Sequence, residues 1–210
     1  MLKKGINESE IGFIGEEKLS SGNDKTHLFV IDPLDGTVNF AYGFDFFSIS
    51  IAYFLKGVLT AGLVYQPTNK NYYFATTNKG AFKNEKSLKI SYKPLKQCLL
   101  SGLISSRPEI YTTLFKTYQN IYPHVAGYRN LNSMAIENCL LAENIFNIVS
   151  NGHTFIWDIS AVKLIIEESG GIMMDFRGLP VDFDLNHPTL AYNVISCHPR
   201  LKNEIIKYFK

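Results

Sequence analysis

The apolar positions change period along the chain, and each change marks an element. HLFVI (27–31) is a continuous apolar run after a polar stretch and predicts a buried strand. FSISIAYFL (47–55), VLTAGLVYQ (58–66) and NYYFATT (71–77) are separated only by Lys56-Gly57 and by PTNK, so they predict an antiparallel meander. GAFKNEKSLKIS predicts one more short hairpin, and QCLLSGLI (97–104) a further strand. The period then lengthens. PEIYTTLFKTYQNIY (108–122) sets apolar residues at 110, 114, 115, 118 and 121 behind Pro108, which predicts a helix. SMAIENCLLAE (133–143) predicts a second helix, and NIFNIVS a returning strand. In WDISAVKLIIEESGG (157–171), Asp158 serves as a cap, apolar residues recur at 159, 162, 165 and 166, and Gly170-Gly171 end the helix. GIMMDF and NVISCH predict strands, and PRLKNEIIKYF a terminal helix. Strands in antiparallel groups with helices between them predict a layered mix of sheet and helix, not strict βαβ alternation. We expect one domain over residues 1–210, with a subdomain break near 95–105.

Composition narrows the class. The chain has 210 residues, 46% hydrophobic and 19% charged, which suits a packed core and excludes general disorder. A net charge of +2 gives no electrostatic case for nucleic acid or an anionic membrane. Cys98, Cys139 and Cys197 are odd in number and form no CxxC, so neither a disulfide framework nor a thiolate zinc site is indicated. They read as packed thiols in a reducing compartment. MLKKGINESE has no apolar run behind its lysines and is not a signal peptide. The longest apolar stretch, FFSISIAYFL, stops at Lys56 and is too short to span a bilayer. A cytoplasmic protein is expected.

The candidate chemistry lies in carboxylates. Asp32 closes the strand HLFVI, and IDPLDGTVNF adds Asp35 three residues later. Asp-Gly is also a common turn signal, and an aspartate after a strand is often only a turn former. Pro33 stiffens the backbone under either reading. Gly36-Thr37 before an apolar segment suits a tight turn into a helix start, where free N–H groups face an anion. Glu16 and Glu17 follow a glycine in IGEE, and alone they read as solvated surface; Asp158 alone reads as a helix cap. Together these acids are hard oxygen donors of the kind Mg²⁺ takes beside a substrate phosphate. Two such ions about 4 Å apart clamp an attacking water and a leaving oxygen. No histidine pair has metal-ligand spacing, which disfavours zinc.

IGEE, IDPLDGTVNF and WDISAVKLIIEESGG stand in the order of the three signatures of the inositol monophosphatase family, which this chain resembles from about Ile11 to Pro199. GAFKNEKSLKIS resembles the family's hairpin, with Glu85 in place of a glycine, and SSRPE a segment near its pocket. The resemblance implies a Mg²⁺-dependent phosphomonoesterase with an αβαβα sugar-phosphatase sandwich of mixed, largely antiparallel sheets, usually a homodimer. It implies two or three Mg²⁺ sites. Glu16, Asp32 and the carbonyl of Leu34 would hold the first; Asp32, Asp35 and Asp158 the second. Gly36 and Thr37 would give N–H groups to phosphate. Glu16 and the Thr37 hydroxyl would orient the attacking water, and with Asp35 they are the candidate catalytic residues. Ser105, Ser133, Met134 and Asn151 fall at substrate-binding positions. The implied substrate is a small sugar, polyol or inositol phosphate.

The pattern also departs from the family's. Family members carry a further N-terminal stretch of two helices before the GEE signature, which cover a sheet, and Met1–Glu10 offer no counterpart. The expectation is an N-terminally shortened fold with exposed apolar surface and a tendency to associate. Where inositol-specific members carry a glutamate, this chain has Asn151; where alanine is usual, it has Met134. Both changes argue against myo-inositol 1-phosphate as the best substrate. The rivals are a 3′-phosphoadenosine 5′-phosphate or fructose-bisphosphate phosphatase, which share the metal core, and a binding protein that has lost catalysis. Val38-Asn39-Phe40 is the inositol-type form of the second signature and counts against the nucleotide version.

Overall fold

The computed structural model describes residues 11–16, 26–103 and 108–209. Two sheets form. The first has seven strands in sequential order: β1 (Ile11–Gly15), β2 (His27–Asp35), β3 (Ser48–Leu55), β4 (Val58–Gln66), β5 (Asn71–Thr76), β6 (Ala81–Lys83) and β7 (Lys86–Leu88). Only β1 and β2 run parallel; the remaining pairs are antiparallel, as short loops such as Lys56-Gly57 require. The second sheet orders β11 (Ile172–Asp175), β12 (Tyr192–Cys197), β10 (Ile148–Thr154), β8 (Leu99–Leu103) and β9 (Gly127–Arg129). It is mixed: β8 runs parallel to both β10 and β9. The chain passes from one sheet to the other between Leu88 and Leu99.

Helices α3 (Met134–Ala142) and α4 (Ile156–Glu168) lie between the sheets. They are apolar around most of their circumference, so they suit a layer buried on both sides. Their side chains join Val30, Ala52, Val64, Ala75 and Val194 in one core. A second core packs α2 (Pro108–Ile121) and α5 (Lys202–Ile205) on the other face of β8, β10 and β12, through Leu114, Tyr118, Ile121, Ile148, Ile195 and Ile205. The layers among the described residues therefore run sheet, helices, sheet, helices. On the outer face of the first sheet, among the described residues, Phe29, Ile51, Tyr53, Leu63 and Phe74 line an apolar cavity of about 450 Å³.

Several boundaries differ from the sequence pattern. β1 and β9 were not evident in it, because IGFIG and GYR are too short to show a period. The C-terminal segment is not one helix. It breaks into a 3-10 turn (Pro199–Leu201), the four residues of α5 and a second 3-10 turn (Ile206–Tyr208). α4 starts at Ile156, so Asp158 sits inside its first turn and Phe155 is the cap residue.

Candidate metal and phosphate site

The largest revision concerns the two aspartates. In the sequence, both Asp32 and Asp35-Gly36 read as turn formers. Instead β2 continues to Asp35, and both carboxylates are buried toward the helix layer. Residues three apart on a regular strand face opposite ways. A bulge resolves this: Asp32 pairs with Ser50 and Asp35 with Ser48, so β2 spends three steps where β3 spends two. Pro33, which has no N–H to give a ladder, sits inside the bulge. The Asp32 carboxylate accepts the Leu34 N–H at 2.9 Å and so stiffens the bulge from within.

Asp35 faces the N-terminus of α3. It accepts hydrogen bonds from the N–H groups of Met134 (3.0 Å) and Ala135 (3.2 Å), from Ser48 Oγ (3.2 Å) and from Ser133 Oγ. Ser133 is the N-cap of α3 and also accepts the Ile136 N–H. A carboxylate at a helix N-terminus is electrostatically favoured. Asp158 Oδ2 accepts the Phe155 N–H at 2.7 Å, so the capping expectation holds in substance, with the acid in the first turn. β1 runs parallel to β2 with Gly15 opposite Ile31, which brings Glu16, the next residue, beside Asp32.

Four carboxylates thus converge from β1, β2 and α4. Burial, then Asp35 and Glu16, pushes the Asp32 acid up to about 7. Burial likewise holds Asp35 above the usual carboxylate range, against the pull of its four donors. Asp158 is held well above it by burial, Asp32, Asp35 and Glu16. Among the described residues no Lys or Arg ion pair reaches these three aspartates. A buried cluster of like charge with hard oxygen donors fits a divalent cation. As they stand, with Asp35 and Asp158 turned to backbone donors, no three acids among the described residues enclose a single point suited to a metal.

The candidate phosphate seat follows directly in the chain. Gly36 takes φ 85° and ψ 37°, and α1 (Thr37–Tyr42) begins at the next residue. A side chain there is excluded twice, by the left-handed backbone and by Phe46 O, which lies 2.6 Å from where a Cβ would sit. The leading N–H groups of α1 have no intrahelical acceptor. Thr37 Oγ1 donates to the Leu34 carbonyl at 3.0 Å, which leaves the hydroxyl's lone pairs to accept a hydrogen bond from water.

The substrate candidates distribute unevenly. Ser133 is engaged with Asp35. Met134 gives its N–H to Asp35 and packs its side chain in the core. Asn151, on β10, is fully buried, and its amide lies beside the Glu137 carboxyl of α3. Ser105 and Glu17 lie outside the described residues. Sequence reasoning missed Ser48 and Ser50, the partners across the bulge, since serines in an apolar strand carry no motif signal.

A family model described as the inositol monophosphatase family matches residues 2–210. Among curated proteins, the chain is 31% identical over 202 residues to inositol monophosphatase 1 of Homo sapiens, covering 92% of this chain and 72% of that protein. It is also 31% identical over 188 residues to Nus factor SuhB of Pasteurella multocida, covering 88% and 68%. Among solved structures, the extragenic suppressor protein SuhB of Bartonella henselae superposes with a TM-score of 0.87 at 28% identity, covering 97% of this chain and 77% of that one.

Proposed function

Since the chain belongs to the inositol monophosphatase family, we propose that it hydrolyses a small sugar, polyol or inositol phosphate with the help of two or three Mg²⁺ ions. The carrying observation is the bulge that turns Asp32 and Asp35 to one buried side, within electrostatic reach of Glu16 and Asp158. Glu16, Asp32 and the Leu34 carbonyl would hold one ion, and Asp32, Asp35 and Asp158 another. When bound, such ions supply Lewis acidity that acidifies water and neutralises charge on phosphoryl and leaving oxygens. The chain's own groups do the positioning. Gly36 and Thr37 N–H groups hold phosphate. The Thr37 hydroxyl, its proton committed to Leu34, accepts from the attacking water together with Glu16. Asp35 needs to turn only part of its hydrogen-bond capacity from α3 to serve an ion.

Asn151 is uncharged and buried, which supports a substrate whose hydroxyls are read without a carboxylate at that position. In keeping with the family resemblance, the reading includes a cytoplasmic homodimer. Phosphate release from a panel of sugar, polyol and nucleotide monophosphates, with Mg²⁺ or chelator, tests it beside Asp35→Asn. Losing one such electrostatic contributor costs about 3 kcal/mol, roughly a hundredfold in rate. Turnover that ignores Mg²⁺, or that survives Asp35→Asn, contradicts the reading.

A further inference from the structure

Glu137 is fully buried in α3, yet the proposed chemistry does not use it. Burial pushes its acid up to about 7, and Asp35 adds repulsion. Its Oε1 accepts the Leu131 N–H at 2.7 Å, and the polar side chains of Ser101 and Asn151 lie beside the same carboxyl. Leu131 is held from its other side as well. Asn39, on α1, donates through Nδ2 to the Leu131 carbonyl at 2.6 Å and to Phe46 O at 2.6 Å. The result is a closed circuit. Asp35 binds the N-terminus of α3; α3 carries Glu137; Glu137 holds Leu131; Leu131 holds Asn39; and Asn39 lies four residues beyond Asp35, past the phosphate turn.

We propose that Glu137 is a positioning residue for the reaction. Through Leu131 and Asn39 it fixes the Asp35-Gly36-Thr37 turn against the N-terminus of α3. Glu137 makes no hydrogen bond to Asp32, Asp35 or Asp158; beyond its repulsion of Asp35, its route to the turn is Leu131. A carboxylate fully buried in a helix is costly even with polar neighbours. A role confined to helix capping does not require it, because Ser133 already caps α3.

The proposal rests on the phosphatase reading for its kinetic arm and on none for its second arm. The variants are Glu137→Leu, Glu137→Gln, Asn39→Ala and Asn39→Ala/Glu137→Leu in the full chain. Losses at Glu137 and Asn39 multiply if the two act independently and fall short of the product if they act through Leu131. The circuit predicts that each of Glu137→Leu and Asn39→Ala lowers kcat about tenfold, and that the double variant is no worse than about twofold below either single. Glu137→Gln keeps an acceptor for Leu131 and recovers most of the loss. In parallel, amide hydrogen exchange at Leu131 is followed by NMR. It accelerates about tenfold or more in Glu137→Leu and also in Asn39→Ala, and stays slow in Glu137→Gln. Multiplicative losses, or a glutamine no better than leucine, overturn the proposal. If Glu137→Leu does not fold, Asn39→Ala decides: unchanged exchange at Leu131 overturns it. If no substrate turns over, the phosphatase reading fails while the exchange data still judge the circuit.

Discussion

Gly36→Ala probes the junction between fold and site most sharply. The wild-type backbone there has φ 85°, and an L-residue in the left-handed region costs about 1–2 kcal/mol. The new methyl would also lie 2.6 Å from Phe46 O, 3.2 Å from Phe47 Cα and 3.3 Å from Ser133 Cβ. Two of these atoms are backbone, so the strand and turn must part; overpacking of this kind costs about 1–3 kcal/mol more. The sum is about 2–5 kcal/mol, which at roughly 2–4 °C per kcal/mol for a chain of this size lowers Tm by about 4–20 °C. Gly57→Ala is the internal control. It has φ 81° but nothing within 4 Å of its Cβ, so it bears the dihedral cost alone. The assay is a pair of denaturant melts against wild type, followed by phosphate release. Gly36→Ala should be the more destabilised by 1 kcal/mol or more, and about a hundredfold slower, because its strain displaces Asp35 and Thr37. Equal melts for the two variants would refute the close approach between the turn and Phe46.

Other expectations bear on the same region. Ser133→Ala removes both the α3 cap and a donor to Asp35, and should cost about 1–3 kcal/mol in urea melts; a neutral result would separate Ser133 from Asp35. Asn151→Glu would bury a second acid beside Glu137 and should destabilise by about 2–4 kcal/mol; a neutral result would show that Asn151 is not enclosed as described. The pH dependence has a definite sign. Glu137 and Asp32 rise to about 7 from 4.5 and 3.8, so the folded state binds more protons between those values. Their contribution to stability is full below about pH 4 and is lost as pH rises through 7. Metal-free protein should therefore lose Tm from pH 5 to 8, and added Mg²⁺ should restore more of it at pH 8 than at pH 5, because ligands must be deprotonated. A metal-free Tm that rises with pH would contradict the burial of these acids.

The long, strongly patterned elements were legible in the sequence. The meander β3–β5 and helices α2, α3 and α4 appear within a few residues of their expected bounds. The acids of the candidate site were legible as well, as expectations, through the signatures that carry them. Their geometry was not. IDPLD reads as a turn because Asp, Pro and Asp-Gly are turn formers in isolation; the pairing of β2 with Ser50 and Ser48 overrides that local preference. The C-terminal segment failed in the other direction, since an apolar period at PRLKNEIIKYF does not reveal that 3-10 turns interrupt it. The link between Asn39 and Glu137 was invisible for another reason: their shared partner Leu131 acts through its backbone, and a backbone carries no residue signature.

The claim that these carboxylates form a divalent-cation site is tested most directly by crystals of the full chain soaked in Mn²⁺, a Mg²⁺ surrogate with an anomalous signal. The account predicts anomalous peaks within about 2.0–2.4 Å of oxygens from Asp32, Asp35 and Asp158, with Glu16 and the Leu34 carbonyl on a neighbouring peak. Ordered crystals with no peak among these residues, at Mn²⁺ concentrations that support turnover, would contradict it.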